Sequence, residues 1–335
     1  MKKYLLLLAG MVTSVLTVQP CTTFVLKTKN GLFFGRNLDW VSDLGLIIIN
    51  QRNVEKNSLV FEPEKPIAWT SQYGSLTFNQ FGKEFPFGGI NEKGLVIEIM
   101  VSDAEYPEPD ERPVVNELQW VQYQLDNCAS VAEVIRTDSM IRIGQTYERL
   151  HYLVCDAEGN AAVIEFLGGK MRVYQGEDLP VAVLENESYD QSLNDLQNNK
   201  TCRFSTAANM LKSYKGNSVN AGVEYSFKIL EKVALSAEWS IVYDIKNGEI
   251  FFRTTTIPEL RNIHLHEFDF TCSNGVFSYD LSDTHQGDIG QRFSRLNTGA
   301  NTDILKKALE LNAVKLENAQ SNQLFNYFKT CSCRK

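Results

Sequence analysis

The chain has 335 residues, 43% of them hydrophobic and 22% charged, a composition that excludes an intrinsically disordered protein. Its formal net charge of −8 offers no basic stripe to neutralise phosphates and excludes nucleic acid as a partner.

In chain order, Lys2 and Lys3 precede an apolar run from Tyr4 to Val12. This is the charged start and apolar centre of a secretory signal, and it is too short to span a bilayer. No later stretch of the sequence is long enough for a transmembrane segment either. Val15-Leu16-Thr17 carries modest residues at the −3 and −1 positions of a signal-peptidase site. Cleavage there leaves Val18-Gln19-Pro20 ahead of Cys21, to be removed by a second cut. Residues 1–20 are therefore expected to be a signal peptide plus a short propeptide, and the mature protein an exported one, periplasmic or secreted. Residues 21–335, without repeat, low-complexity tract or Pro/Gly-rich linker, are expected to form one domain.

The first predicted element is a hairpin. Asn30-Gly31 separates the strand-like runs TTFVLKT and LFFGR, and a two-residue loop there pairs Lys29 with Leu32 and Val25 with Arg36. Alternation puts Arg36 on the sheet face of Cys21. Asp39 falls on the other face unless the second strand ends or bulges near Asn37-Leu38. FGGINEKGLVIEIM turns at Asn91–Gly94. Residues 116–126 have helical spacing, and Ser130 and Glu133 form a capping box before VAEVIRT. HYLVCD and AAVIEF flank Glu158-Gly159; WSIVYDIK and EIFFRT flank Asn247-Gly248. FSTAANMLKSY, EYSFKILEKVAL and TDILKKALELNAVKLENA read as amphipathic helices. Strands and helices alternate in blocks, which favours an α+β layered sandwich with antiparallel sheets over a parallel doubly wound fold.

Seven cysteines are present, at 21, 128, 155, 202, 272, 331 and 333. An odd number leaves at least one without a partner in the chain. Their spacing gives no zinc pattern. Cys128 and Cys155 lie in apolar periodic stretches and read as buried small hydrophobes. Cys272 could pair with either C-terminal cysteine, and spacing does not choose. None of the four histidines stands in a catalytic context, and each reads as a core or surface residue.

Only Cys21 sits at a leader junction. Proteolysis would give it a free α-amine with a reference pKa of about 7.7–8.0, beside a thiol of about 8.5. One residue then supplies nucleophile and base, and no histidine is needed. Arg36 would favour the thiolate, and Asp39 would orient the ammonium. Alone, Arg36 and Asp39 also read as a solvated ion pair at a strand end, and Asn186 as a turn residue.

The opening CTTFVLKTKNGLFFGRNLDW resembles that of the choloylglycine hydrolase family of linear amide C–N hydrolases, which includes bile salt hydrolases and penicillin V acylases. INEKGL, LHYLVCDAEGNAAVIEF, LPVAVLENESYD, TCRFSTAANML and WSIVYDIKNGEIFFRT resemble further family segments in the same order. The resemblance implies a four-layer αββα sandwich of the N-terminal nucleophile hydrolase type. It implies Cys21 as nucleophile, Arg36 and Asp39 beside it, Asn186 in the oxyanion hole and Arg203 as a later active-site arginine. The implied reaction is hydrolysis of a small-molecule N-acyl amide through a thioester, without metal or organic cofactor. Relatives are often tetramers, so a homotetramer is one oligomeric state to expect.

One position departs from the pattern. Bile salt hydrolases carry a second polar side chain where this sequence has Val101, which weakens the case for bile salts more than the case for hydrolysis. Asn79 and Asn91 are substitutes as donors, although a structural role suits both better. Two other functions stay open: a lipid anchor on Cys21, disfavoured by Gln19-Pro20, and an acyltransferase on the same fold. Loops near 41–48, 101–112 and 186–200 are expected to form the pocket.

Overall fold

The computed structural model describes residues 21–144, 147–216 and 218–334; the expected leader and propeptide lie outside them. Two antiparallel sheets dominate. The first has seven strands, with Thr22–Lys27, Leu32–Leu38, Trp239–Asp244 and Glu249–Thr254 side by side at its centre. The second has nine, including Gly88–Asn91, Val96–Val101, Leu150–Cys155 and Ala161–Leu167 as neighbours in the order 161–167, 150–155, 96–101, 88–91. The central strands are buried along nearly their whole length, because each sheet is covered on both faces.

The sheets meet through aromatic side chains. Phe78 of the second packs on Trp239, Tyr243 and Phe252 of the first, with ring centroids 5.7–6.4 Å apart. Burying one such ring fully contributes about 1.5–3 kcal/mol. Helices Arg203–Ser213 and Val219–Val233 cover the outer face of the first sheet, and Glu117–Asn127 that of the second. The result is the expected αββα sandwich.

Local chemistry explains the helix starts. Asn116 accepts from the backbone N–H groups of Leu118 and Gln119, Ser130 from Glu133 and Ser218 from Ala221, each satisfying donors a helix start leaves open. In the 91–94 turn, Asn91 Oδ1 accepts from Lys93 and Leu95 N–H, and Gly94 takes φ +79°, a conformation glycine adopts without strain.

Two expectations need correction. The first hairpin pairs Lys27 with Leu32 and Thr23 with Arg36, so its loop has four residues, 28–31, and the register is two positions from that predicted. Thr28 closes this loop, its Oγ1 accepting from the N–H groups of Asn30 and Gly31. Neither Asn30 nor Gly31 adopts the positive φ that a two-residue type I′ turn needs. A shift of two preserves the faces, so Arg36 still shares that of Cys21. The second correction concerns TDILKKALELNAVKLENA. It forms two helices, Thr298–Leu311 and Asn318–Tyr327, broken where Ala313 takes φ +52°. Asn312 caps the first by donating from Nδ2 and its backbone N–H to the Ala308 carbonyl, while its Oδ1 and carbonyl oxygen are tied to residues far away in sequence.

Cys272 is joined to Cys333, which fastens the short strand Ser332–Cys333 against Val54–Asn57. Cys128 and Cys155 are buried, as expected. No helix among the described residues is long and apolar enough to cross a membrane.

Candidate active site

Cys21 lies where the first strand of the hairpin begins, 2% exposed. Its Sγ is 3.9 Å from the Asp39 carbonyl oxygen. The second strand ends at Leu38, which releases Asp39 from the face it would otherwise occupy. The Asp39 carboxylate is buried; Oδ1 accepts from the backbone N–H groups of Leu235, Ser236 and Ala237 at 2.6–3.0 Å. Oδ2 is buried without a hydrogen-bond partner among the described residues.

Arg36 lines the same cavity as Cys21 and is fully buried between the sheets. Its Nε is 2.9 Å from Glu98 Oε2, and its Nη2 donates to the Ile99 carbonyl at 3.4 Å. Glu98 also accepts from the Tyr243 hydroxyl at 2.5 Å. Gly88, opposite Glu98 in the sheet, leaves room for that carboxylate, since a Cβ at position 88 would lie 2.0 Å from Glu98 Oε2. Burial pushes the Glu98 carboxyl up to about 7, against the opposing pull of Arg36 and Tyr243. Burial also raises the Cys21 thiol above its ordinary value, and Arg36 is the strongest influence in the other direction.

Asn186 and Arg203 close the other side. Arg203 donates to the Cys21 carbonyl oxygen, to Thr22 Oγ1 at 3.2 Å and to Asn186 Oδ1 at 3.2 Å; Glu185 Oε2 lies 3.3 Å from its Nη2. With Asn186 Oδ1 facing the guanidinium, its amide nitrogen faces inward and donates to the Val101 carbonyl at 2.9 Å. An amide has two N–H groups, so one remains. The structure thus brings Cys21, Arg36, Asp39, Asn186 and Arg203 into one site.

Val101 lines the cavity with an apolar side chain, and neither suggested substitute reaches the site. Asn79 Nδ2 donates to the Gly82 carbonyl; Asn91 Nδ2 donates to the carbonyls of Leu125 and Cys128. Both are structural.

One space adjoins Cys21 and a second adjoins the first. The inner one is a cavity of about 30 Å³ whose walls include Trp40, Phe81, Phe87 and Tyr147. The outer one is a cleft of about 730 Å³ that shares Trp40, Val101, Tyr147 and Glu148 with it. The expected 41–48, 101–112 and 186–200 loops contribute Val41, residues 102–104 and residues 187–188 to the cleft. Three contributions were not foreseen. Glu117 Oε1 holds the wall loop by accepting from Tyr147 and Glu148 N–H. Asn312 accepts from Trp40 Nε1 at 2.9 Å and, through its carbonyl, from the Tyr147 hydroxyl at 3.3 Å. His151 and Glu165, buried and paired at 3.1 Å, stand in the cleft wall. The first two are invisible in sequence because the contacts span 30 and more positions; alternation could have put His151 and Glu165 on neighbouring strands, but not in register.

Comparison with known proteins bears on this arrangement. Residues 21–222 match the model of the linear amide C–N hydrolases, choloylglycine hydrolase family. Penicillin V acylase of Pectobacterium atrosepticum is 24% identical over 342 residues, covering 85% of this chain and 87% of that one. The structure of penicillin V acylase from Agrobacterium tumefaciens superposes with a TM-score of 0.73 at 22% identity, covering 83% of this chain and 98% of that one. A variant of conjugated bile acid hydrolase from Clostridium perfringens gives 0.66 at 17% identity, covering 79% and 98%. The chain belongs to the choloylglycine hydrolase family and is a hydrolase of carbon–nitrogen bonds in linear amides.

Proposed function

We propose that the protein is an exported amidase whose mature chain begins at Cys21 and which cleaves N-acyl amides through a thioester. The observation that carries this reading is the convergence of Arg36, Asp39, Asn186 and Arg203 on a buried cysteine at the mouth of an apolar cavity. The Cys21 thiolate attacks the amide carbonyl while Arg36 lowers the cost of its charge. The remaining Asn186 N–H meets the developing oxyanion, and one such donor contributes about 2.7–4 kcal/mol. The freed α-amine of Cys21 takes the thiol proton and passes it to the departing amine. Asp39 Oδ2, buried and unpartnered among the described residues, offers that ammonium its counter-charge. Water then attacks the thioester and releases the acid.

The aromatic inner cavity favours a phenoxyacetyl-sized or slender alkyl acyl group over a sterol skeleton. At about 30 Å³ it holds on the order of two waters, so Trp40, Phe81 and Tyr147 must part as the acyl group enters. Val101 in place of a polar side chain weighs in the same direction. The burial of Cys21 weighs against a lipid anchor on its sulfur.

The test is turnover of phenoxyacetyl amides by wild type and Cys21→Ser, with the mass of the mature chain measured in parallel. The expected result is a chain starting at Cys21, a transient mass gain equal to the acyl group, and loss of nearly all turnover in Cys21→Ser. Full activity in a chain still joined to Pro20 would defeat the mechanism. Acyl transfer to an added amine at the expense of hydrolysis would favour the acyltransferase alternative.

A further inference from the structure

The amide reading fixes which half of the substrate meets which space. With the scissile carbonyl at Cys21 and the acyl group in the inner cavity, the amine half lies in the outer cleft. The inference below rests on that reading and extends it to the chemistry of the amine.

The cleft wall is rich in hydrogen-bond acceptors. Asp103, Glu148, Glu165 and Glu187 line it together with His151, and among the described residues no lysine or arginine does. Carboxylates alone would say little in an acidic protein. A second feature points to a ligand: Glu165 Oε2 and His151 Nε2 are buried polar atoms without a partner among the described residues, and both residues are at least 97% buried. Glu165 Oε1 accepts from the Tyr189 N–H at 2.8 Å and faces His151 Nδ1 at 3.1 Å. A carboxylate oxygen facing a ring nitrogen accepts from it, so Nδ1 donates to Oε1 and Glu165 Oε2 is left open.

Several donors along the cleft are already engaged within the protein, one N–H of Asn186 remaining for the oxyanion. Trp40 Nε1 and the Tyr147 hydroxyl donate to Asn312. Asn312 Nδ2 donates to the Ala308 carbonyl, and Asn186 Nδ2 to that of Val101. Only the Ser102 hydroxyl, which can donate or accept, is buried without a partner among the described residues. Nearby cations are held elsewhere: Arg203 on Asn186 and Glu185, Lys200 on Asp195. Arg149 lines a separate groove beside Glu105 and Glu108.

A glycine or taurine amide would bring an anion into a wall of carboxylates with no lysine or arginine among the described lining residues to meet it. An amine half bearing further N–H groups and a positive charge would meet the unpartnered Glu165 Oε2 and the carboxylates around it. We propose that the outer cleft selects amides whose amine half carries a second, protonated nitrogen, such as a diamine or polyamine, over those carrying a carboxylate or sulfonate.

The experiment holds the acyl group constant. N-Phenoxyacetyl-1,4-diaminobutane, the matching ethanolamide and N-phenoxyacetylglycine are hydrolysed by the full mature enzyme, and kcat/KM is measured for each. The expected order is diaminobutane, ethanolamide, glycine, with about tenfold or more between the ends, a ratio one well-placed charge contact supports. That ratio should shrink as salt rises from about 10 mM to about 500 mM, and again in the Glu148→Gln/Glu187→Gln double variant. Turnover of the ethanolamide with equal or faster cleavage of the glycine amide overturns the inference and leaves the amidase intact. A ratio unmoved by both salt and the double variant overturns it as well. Cleavage of none of the three overturns the amidase reading and this inference together.

Discussion

Two buried ionic clusters in this molecule solve the same electrostatic problem in opposite ways. Between the sheets, Glu98 faces one guanidinium, that of Arg36, and one hydroxyl, that of Tyr243. Beyond the second sheet, Glu84 faces two ammonium groups, those of Lys56 and Lys83, while Lys56 also holds Asp126 at 2.9 Å. All of these groups are removed from water. For Glu98, burial wins and its carboxyl rises to about 7. For Glu84, burial acts in the same sense, but the two lysines together overcome it and hold the carboxyl at about 2. The number of counter-charges decides the sign. The difference has a functional side. A Glu98 that is partly neutral near pH 7 leaves the Arg36 charge incompletely compensated in the cavity that it shares with Cys21. The Glu84 cluster is internally balanced, lies away from the cavity and holds structure together.

The largest expected effect tests that second role. Lys56→Met strands Asp126 in the interior, leaves Glu84 with Lys83 alone, and should cost about 3–5 kcal/mol in urea unfolding, with turnover per folded molecule unchanged. A loss of turnover without a loss of stability would erase the distinction between the clusters. Next comes pH. Glu84, depressed when folded, contributes stability present above its ordinary pKa of 4.5 and lost as pH falls toward 2. Glu98, raised when folded, contributes stability fully present below 4.5 and lost as pH rises through 7. That shift corresponds to on the order of 3 kcal/mol. Urea titrations at pH 5 and pH 8 should therefore show a decline that Glu98→Gln abolishes; a decline that persists in the variant would assign it to another group.

Opening the Cys272–Cys333 bridge with a double serine substitution frees the strand beside Lys56 and should cost about 2–4 kcal/mol. It should affect the Lys56 cluster and leave the pH 5-to-8 decline as it was. The smallest effect is expected from Tyr243→Phe. Losing the hydroxyl bond removes one influence that lowers the Glu98 pKa, so the midpoint of the decline should move upward; a downward move would contradict the account of that carboxyl.

Much of this site was legible in the sequence, for local reasons. Cys21, Arg36 and Asp39 sit within one hairpin, where alternation relates them by face even when the loop length is misjudged. The end of the strand at Leu38, required if Asp39 was to serve Cys21, is where it occurs. Asn186 and Arg203 were legible only through resemblance, since nothing in their neighbourhood distinguishes a turn residue from an oxyanion donor. Glu98 was not legible at all. A glutamate inside an apolar strand gives no hint that it faces an arginine 62 positions earlier, and it takes the register of both sheets to bring them together. The break at Asn312 escaped for the same reason: the local pattern continues as helix, but the bonds that end it lead to Trp40 and Tyr147. The choice of Cys333 over Cys331 as the partner of Cys272 depends on how the last strand lies against Val54–Asn57.

Asn312 has a consequence for how this enzyme could diversify. It lies 90 residues beyond the end of the segment that matches the family model, yet it fastens two aromatic walls of the inner chamber. Exchanging the tail of this chain for that of a relative would thus retune what the chamber admits while leaving every reacting group untouched. The shape of a chamber can be inherited from a stretch that carries none of the proposed reacting groups.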